Sequence, residues 1–88
     1  MKLCKLLYEV KPELGEKCDE IGLYMDMLAS SVESGEIEPA VLAAFKIGSG
    51  LEYLKEKLSE QCSVMQGEEK RKCYELLVDL LKVEAELM

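Results

Sequence analysis

The four cysteines are the residues whose types and spacing could do chemistry in this chain. They are Cys4, Cys18, Cys62 and Cys73. Structural zinc sites usually bring cysteine ligands in close pairs separated by two to four residues, and no such pair exists here. The C-x-x-C motif of thiol–disulfide enzymes is also missing. We therefore expect structural disulfides, with a cysteine-based metal-binding or redox-responsive protein as an alternative function.

The positions of the cysteines predict how they pair. Cys62 and Cys73 lie almost symmetrically about Gly67. Cys4 and Cys18 lie symmetrically about Lys11, where a second chain reversal is expected. If the chain turns back at both points, the members of each pair can approach to the roughly 5.5–6 Å between α-carbons that a disulfide needs. This symmetry favours Cys4 with Cys18 and Cys62 with Cys73. A rival arrangement stays open, because each pair also shares one face of a continuous helix and could face cysteines on another helix.

Other groups that commonly carry catalysis are missing from the sequence. It contains no histidine, which is the commonest general base and metal ligand. Gly48-Ser49-Gly50 lacks the lysine that follows the glycines of a phosphate-binding loop. We expect a non-enzymatic protein with no catalytic residue, no cofactor and no metal.

Charge limits the possible partners. The formal net charge is −7, which opposes binding to nucleic acid or to an anionic membrane. The one basic cluster, residues 70–72, leaves a nucleic-acid-binding regulator as an alternative that the net charge disfavours. Glu52, Glu56 and Glu60 form a row along one helix face, and we expect them either to keep the protein soluble or to bind a basic protein partner.

The spacing of apolar residues predicts the elements that position these groups. It predicts a short helix over residues 2–10 and three long helices over about 13–34, 38–62 and 69–87. Pro12 should separate the first two, and Gly35 and Gly67 should mark tight turns. Because these connections are short, consecutive long helices should pack antiparallel. The second helix has apolar positions spaced 4, 3, 4, 3, 4, namely Leu14, Cys18, Ile21, Met25, Leu28 and Val32.

The middle helix is expected to have neighbours on two sides. One apolar line should face the core, and it comprises Val41, Ala44, Ile47, Leu51, Leu54, Leu58 and Cys62. Small residues at Ala40, Ala44 and Gly48 predict a ridge that another helix could approach closely. The alternative is a break into two short helices at Gly48-Ser49-Gly50, because glycine weakens a helix interior.

The sequence as a whole predicts a single all-α domain over residues 1–88. We expect a small antiparallel bundle of three main helices and a short N-terminal helix, held by disulfides. The last helix has two apolar lines: one is Cys73, Leu76, Leu80, Val83 and Leu87, and the other is Leu77, Leu81 and Ala85. The apolar faces of the first long helix and of this last helix are too wide for so small a bundle to cover, which predicts a self-associating interaction module, a homodimer. Glu and Lys are abundant and Asn is absent, a thermophile-like composition. Since intracellular disulfides occur in hyperthermophiles and no signal-peptide core is visible, we expect a cytoplasmic protein.

Overall fold

Four α-helices make up the chain in this computed structural model, which describes residues 2–87. Met1, Met88 and the side chain of Leu87 lie outside the described part. The helices are α1 (Lys2–Val10), α2 (Pro12–Ser34), α3 (Ile37–Ser63) and α4 (Gly67–Leu87). Their bounds fall within two residues of the predicted ones, and no strand occurs among residues 2–87. The prediction of an all-α fold is confirmed.

The chain reverses where proline and glycine were expected to turn it. Lys11 is extended, with φ −162° and ψ 129°, and Pro12 opens α2. At the other end of α2, Gly35 adopts φ 73°, a left-handed conformation that costs residues with a Cβ roughly 1–2 kcal/mol. The Glu36 N–H donates to the Ser31 carbonyl at 2.9 Å and closes this cap. Gly67, the first residue of α4, also has a positive φ, 64°.

Two disulfides set the register of the outer helices. They join Cys4 to Cys18 and Cys62 to Cys73, each with 5.4 Å between the α-carbons. These are the two predicted pairs, and the alternative in which each pair faces another helix does not occur. All four residues are buried. The first bridge joins α1 to α2 and the second joins α3 to α4, and both lie within the core.

The helices α2 and α3 share the most extensive interface, and the core begins between them. The helices α1 and α4 cover the half of this core that lies away from the α2–α3 turn. Its fully buried large side chains come from all four helices: Leu7, Leu14, Leu54, Leu58 and Leu80, with Cys62 and Cys73 beside them. The helix α3 is continuous through residues 48–50, so the predicted alternative of a break there is excluded.

The close approach between helices occurs at a different glycine from the predicted one. A Cβ built on Gly50 would lie 2.7 Å from Ile21 Cγ1 of α2. A Cβ on Gly48 would meet nothing within 4 Å, and Ala44 is exposed. The ridge of Ala40, Ala44 and Gly48 was therefore assigned wrongly, because α2 packs on the side of α3 that carries Gly50 and the fully buried Ala43.

The apolar lines predicted for α2 and α3 extend further than the buried core does. Val32 and Val41 are 68% and 63% exposed, and Ala44 is exposed as well. The physical reason is that the covering helices end early. From the register of the disulfides, α1 begins level with about residue 20 of α2, and α4 ends level with about residue 48 of α3. Beyond these levels only two helices remain, and the molecule is elongated, 48 × 22 × 18 Å.

The last helix carries the wide apolar face that its sequence predicted. Cys73, Leu76 and Leu80 are buried against the core, and Leu77 is partly buried. The second predicted line turns outward, since Leu81 is 44% exposed and Ala85 is exposed too. The predicted line also included Leu87, whose side chain lies outside the described part.

Candidate functional site

All four cysteines are paired in disulfides. Both pairs are oxidised and buried, and residues 2–87 contain no free cysteine. No group of three or more Cys, Asp or Glu side chains in that range stands close enough to hold a metal ion. Each bridge closes a loop of about a dozen residues. By reducing the conformational entropy of the unfolded chain, it raises the free energy of unfolding by roughly 2–3 kcal/mol.

The predicted glutamate row lies on the outer side of α3 and is partly neutralised. Glu52 is 73% exposed and lies 2.8 Å from the Lys55 ammonium, while Glu60 lies 3.7 Å from Lys57. Glu56 is exposed and forms no ion pair with any residue that the structure describes. Glu52 also lines an apolar groove, and it is the one member of the row that does so.

An ion bridge closes the end of that groove. Lys55 Nζ of α3 lies 2.9 Å from Glu84 Oε2 of α4, in addition to its contact with Glu52. The two carboxylates raise the pKa of Lys55, with Glu52 the larger influence. Lys55 therefore stays charged and ties α4 to α3 one turn before α4 ends.

An uncovered apolar surface lies where α2 and α3 extend beyond the other two helices. We call it the open seam, and it comprises Leu28, Val32, Ile37, Val41, Ala44, Phe45 and Gly48. Ile37 and Phe45 are 77% and 69% exposed. The open seam continues the line that α4 covers lower down, because α4 packs over Leu51 and Leu58 and then stops.

The open seam is concave. A groove of about 590 Å³ is lined by Leu28, Ala44 and Gly48 among others, with Glu52 and Glu84 at its end. A second groove of about 370 Å³ runs between Val32 and Val41 and also contacts Ala44. Both grooves contact Ala44, so they are neighbours along the α2–α3 hairpin.

The surroundings of the open seam are acidic. Residues 24–54 contain five acids and a single base, Lys46. Glu36 lines the second groove and Glu52 the first, while Glu38 lies one helical turn before Val41 on the same side of α3. Lys46 lies about 180° around the helix from Ile37 and so points away from the open seam.

A second apolar surface lies on the solvent side of α4. We call it the α4 stripe, and it consists of Tyr74, Val78, Leu81 and Ala85. The first three are 40%, 49% and 44% exposed. A shallow groove of about 610 Å³ runs beside Tyr74 and Val78, and its walls carry charges of both signs, Glu75 and Lys82 among them.

Sequence reasoning missed the members of the open seam because their spacing is that of a core line. Val41 and Ala44 extend the buried series of α3 in steps of three residues, so counting apolar residues every three or four positions places them inside. Two consecutive steps of three nevertheless rotate Val41 about 120° away from Ile47. The available signal was Phe45, the only phenylalanine of the chain, which stands off the core line beside them. The length of α4 relative to α3 was a second signal, since 21 residues cannot cover 27.

No helix within residues 2–87 combines the length and apolar character needed to cross a membrane. Comparisons of the chain with protein-family models, with curated proteins and with solved structures found no match.

Proposed function

We propose that this protein is a non-enzymatic protein–protein interaction module whose open seam binds an amphipathic helix with basic flanks. The observation that supports this most is the concave apolar surface that α2 and α3 leave uncovered where α1 and α4 end. A helix laid there would continue the line of α4 and complete the packing. Helix-in-groove binding of this kind uses apolar anchors spaced three or four residues apart.

The amount of exposed apolar surface supports a binding role. Val32, Ile37, Val41 and Phe45 are between 63% and 77% exposed. With up to roughly 150–250 Å² for a large side chain, these four present on the order of 500 Å² of apolar area. The largest apolar patch of an ordinary monomer measures about 300–600 Å² and is often functional. One helix covering this patch would bury an area near the lower limit for specific complexes.

The charges around the open seam favour a basic partner. Glu36, Glu38 and Glu52 surround the apolar residues. Of the two bases nearby, Lys46 points away, and Lys55 is shared between the carboxylates of Glu52 and Glu84. A second copy of the chain would bring the same acids against these, which costs binding energy. A helix with lysine or arginine beside its apolar face would gain from them instead. The predicted acidic row begins beside the open seam at Glu52, which lines its groove. Glu56 and Glu60 extend the row along α3 away from the open seam.

The test uses a designed peptide of about 18 residues, with leucines on one helical face and lysines on the flanks. Titrated into ¹⁵N-labelled protein, it should shift the amide signals of residues 28–48 and leave those of α1 unchanged. A matched peptide with glutamate in place of lysine should bind at least tenfold more weakly.

Two variants sharpen this test. Phe45→Ser removes an anchor whose side chain is 69% exposed, so the fold should persist while peptide affinity falls about tenfold or more. Leu23→Ser is the matched control, because Leu23 is 70% exposed on α2 and lies outside the open seam. Equal loss for both variants, or signal changes confined to α4, would contradict the assignment of the open seam.

A further inference from the structure

The α4 stripe has the spacing of a helix–helix seam but faces solvent. Tyr74, Val78, Leu81 and Ala85 are separated by 4, 3 and 4 residues, which places them along one side of the helix. The core line of the same helix, which includes Leu80, faces the other way and is already buried against α3 and α1. A surface helix normally carries one such line, so the α4 stripe is available for a second helix.

The charges beside the stripe are of both signs, unlike those around the open seam. Residues 67–87 contain six acids and four bases. Glu75 and Lys82 flank the stripe on one side, seven residues apart, about 10 Å along the helix, and so cannot reach each other within one chain. Arg71 Nε lies 3.4 Å from Glu75 in an exposed contact, while Lys82 forms no ion pair with any residue among 2–87.

We propose that α4 pairs antiparallel with α4 of a second copy about a two-fold axis between Val78 and Leu81. In this arrangement Val78 packs on Leu81 of the second copy, and Tyr74 packs on Ala85 of the second copy. The same rotation places Glu75 beside Lys82 of the second copy, and the contact occurs twice because the interface is symmetric. Flanking charges of this kind determine partner choice and orientation in helix pairs.

The distribution of charge along α4 favours the same orientation. Residues 67–73 carry three bases and two acids, a sum of +1, and residues 81–87 carry one base and two acids, a sum of −1. One of these last acids, Glu84, is already paired with Lys55. Antiparallel pairing puts the basic end of one helix near the acidic end of the other, whereas parallel pairing puts like charges together.

The area available makes this a weak dimer. Three side chains that are 40–49% exposed, together with Ala85, present on the order of 300 Å² of apolar surface per copy. Flanking charged side chains add a similar area, which leaves the total near the lower limit of specific interfaces. The open seams take no part, so the dimer would hold two of them and bind two basic helices at once.

The experiment is sedimentation velocity of the oxidised protein from about 10 µM to about 1 mM, a range that covers weak association. The mass should rise from one chain towards two. Val78→Asp should raise the dissociation constant at least tenfold, and Phe45→Ser in the open seam should leave it unchanged. Circular dichroism of each variant verifies that the helices persist.

Charge exchange tests the orientation independently of stability. Glu75→Lys alone and Lys82→Glu alone each place two like charges at both contacts, so each should weaken the dimer about threefold or more. An equimolar mixture of the two variants pairs unlike charges again and should associate as well as the unmodified protein, as should the double variant.

Three results would overturn the proposal. Sedimentation as one chain at every concentration excludes the dimer, but leaves peptide binding at the open seam intact. A dimer that Phe45→Ser disrupts and Val78→Asp does not would place the interface at the open seam instead. A dimer that neither single charge change affects, with no recovery to observe in the mixture, would exclude the antiparallel pairing of α4.

Discussion

Two glycines in one helix should respond oppositely to the same substitution. Gly48 and Gly50 are two residues apart in α3, and each loses roughly 0.5–1 kcal/mol of helix stability relative to alanine. At Gly48 a new Cβ meets nothing within 4 Å. Gly48→Ala should therefore stabilise the protein by about 0.5–1 kcal/mol.

At Gly50 the new Cβ would lie 2.7 Å from Ile21 Cγ1 and 2.9 Å from Ile21 Cδ1. Ile21 is 3% exposed, so its side chain cannot swing away without disturbing the packed core. Overpacking of this kind costs about 1–3 kcal/mol, which exceeds the gain in helix propensity. Gly50→Ala should therefore destabilise the protein by about 1 kcal/mol.

The measurement is urea denaturation of both variants with the disulfides intact, followed by circular dichroism. The free energies of unfolding should differ by about 2 kcal/mol, which for a domain of this size corresponds to roughly 8–16 °C in melting temperature. In an Ile21→Ala background the clash is gone, and Gly50→Ala should become stabilising. If both alanine variants stabilise the unmodified protein equally, α2 does not pack on α3 at Gly50 and the reasoning fails.

Two further predictions concern α1. Tyr8 donates a hydrogen bond of 2.7 Å to Asp19, which raises the pKa of Tyr8 above the ordinary value of 10.0, so its stabilising contribution is complete below that pH and is lost as pH rises through the raised pKa. In a tyrosinate absorbance titration, the difference between the unmodified protein and Tyr8→Phe should have its midpoint above 10.0, and a midpoint at or below it would show that the contact is not formed in solution. Replacing Cys4 and Cys18 together by serine should lower the free energy of unfolding by about 3 kcal/mol and reduce amide protection first in α1; an unchanged stability would mean that packing alone holds this helix.

Much of the fold could be predicted because it depends on local signals. Gly35 and Gly67 were predicted to mark turns, and both have positive φ. Pro12 was predicted to separate two helices, and α2 begins at it. Since short connections make consecutive helices antiparallel, the cysteine pairs followed from their symmetry about the turns. Each of these inferences uses residues that are near one another in the chain.

The candidate surfaces could not be predicted in the same way. Ala44 and Leu51 are seven residues apart and share one face of α3, yet Ala44 is exposed and Leu51 is 4% exposed. Periodicity identifies a face of a helix, and it contains no information about how far a neighbour extends along that face. Glu52 was predicted as a possible partner contact on charge alone, and whether it binds a partner stays a prediction.

The sequence by itself determined the helices, their order and their antiparallel arrangement, because turn chemistry and apolar spacing act over a few residues. It favoured the cysteine pairing that the structure has, without excluding the rival arrangement. Only the tertiary structure decided which helix lies on which side of α3. That choice places Gly50 rather than Gly48 against Ile21, and it leaves Phe45 uncovered where α4 ends. The reason is that packing depends on the lengths and the register of several helices together.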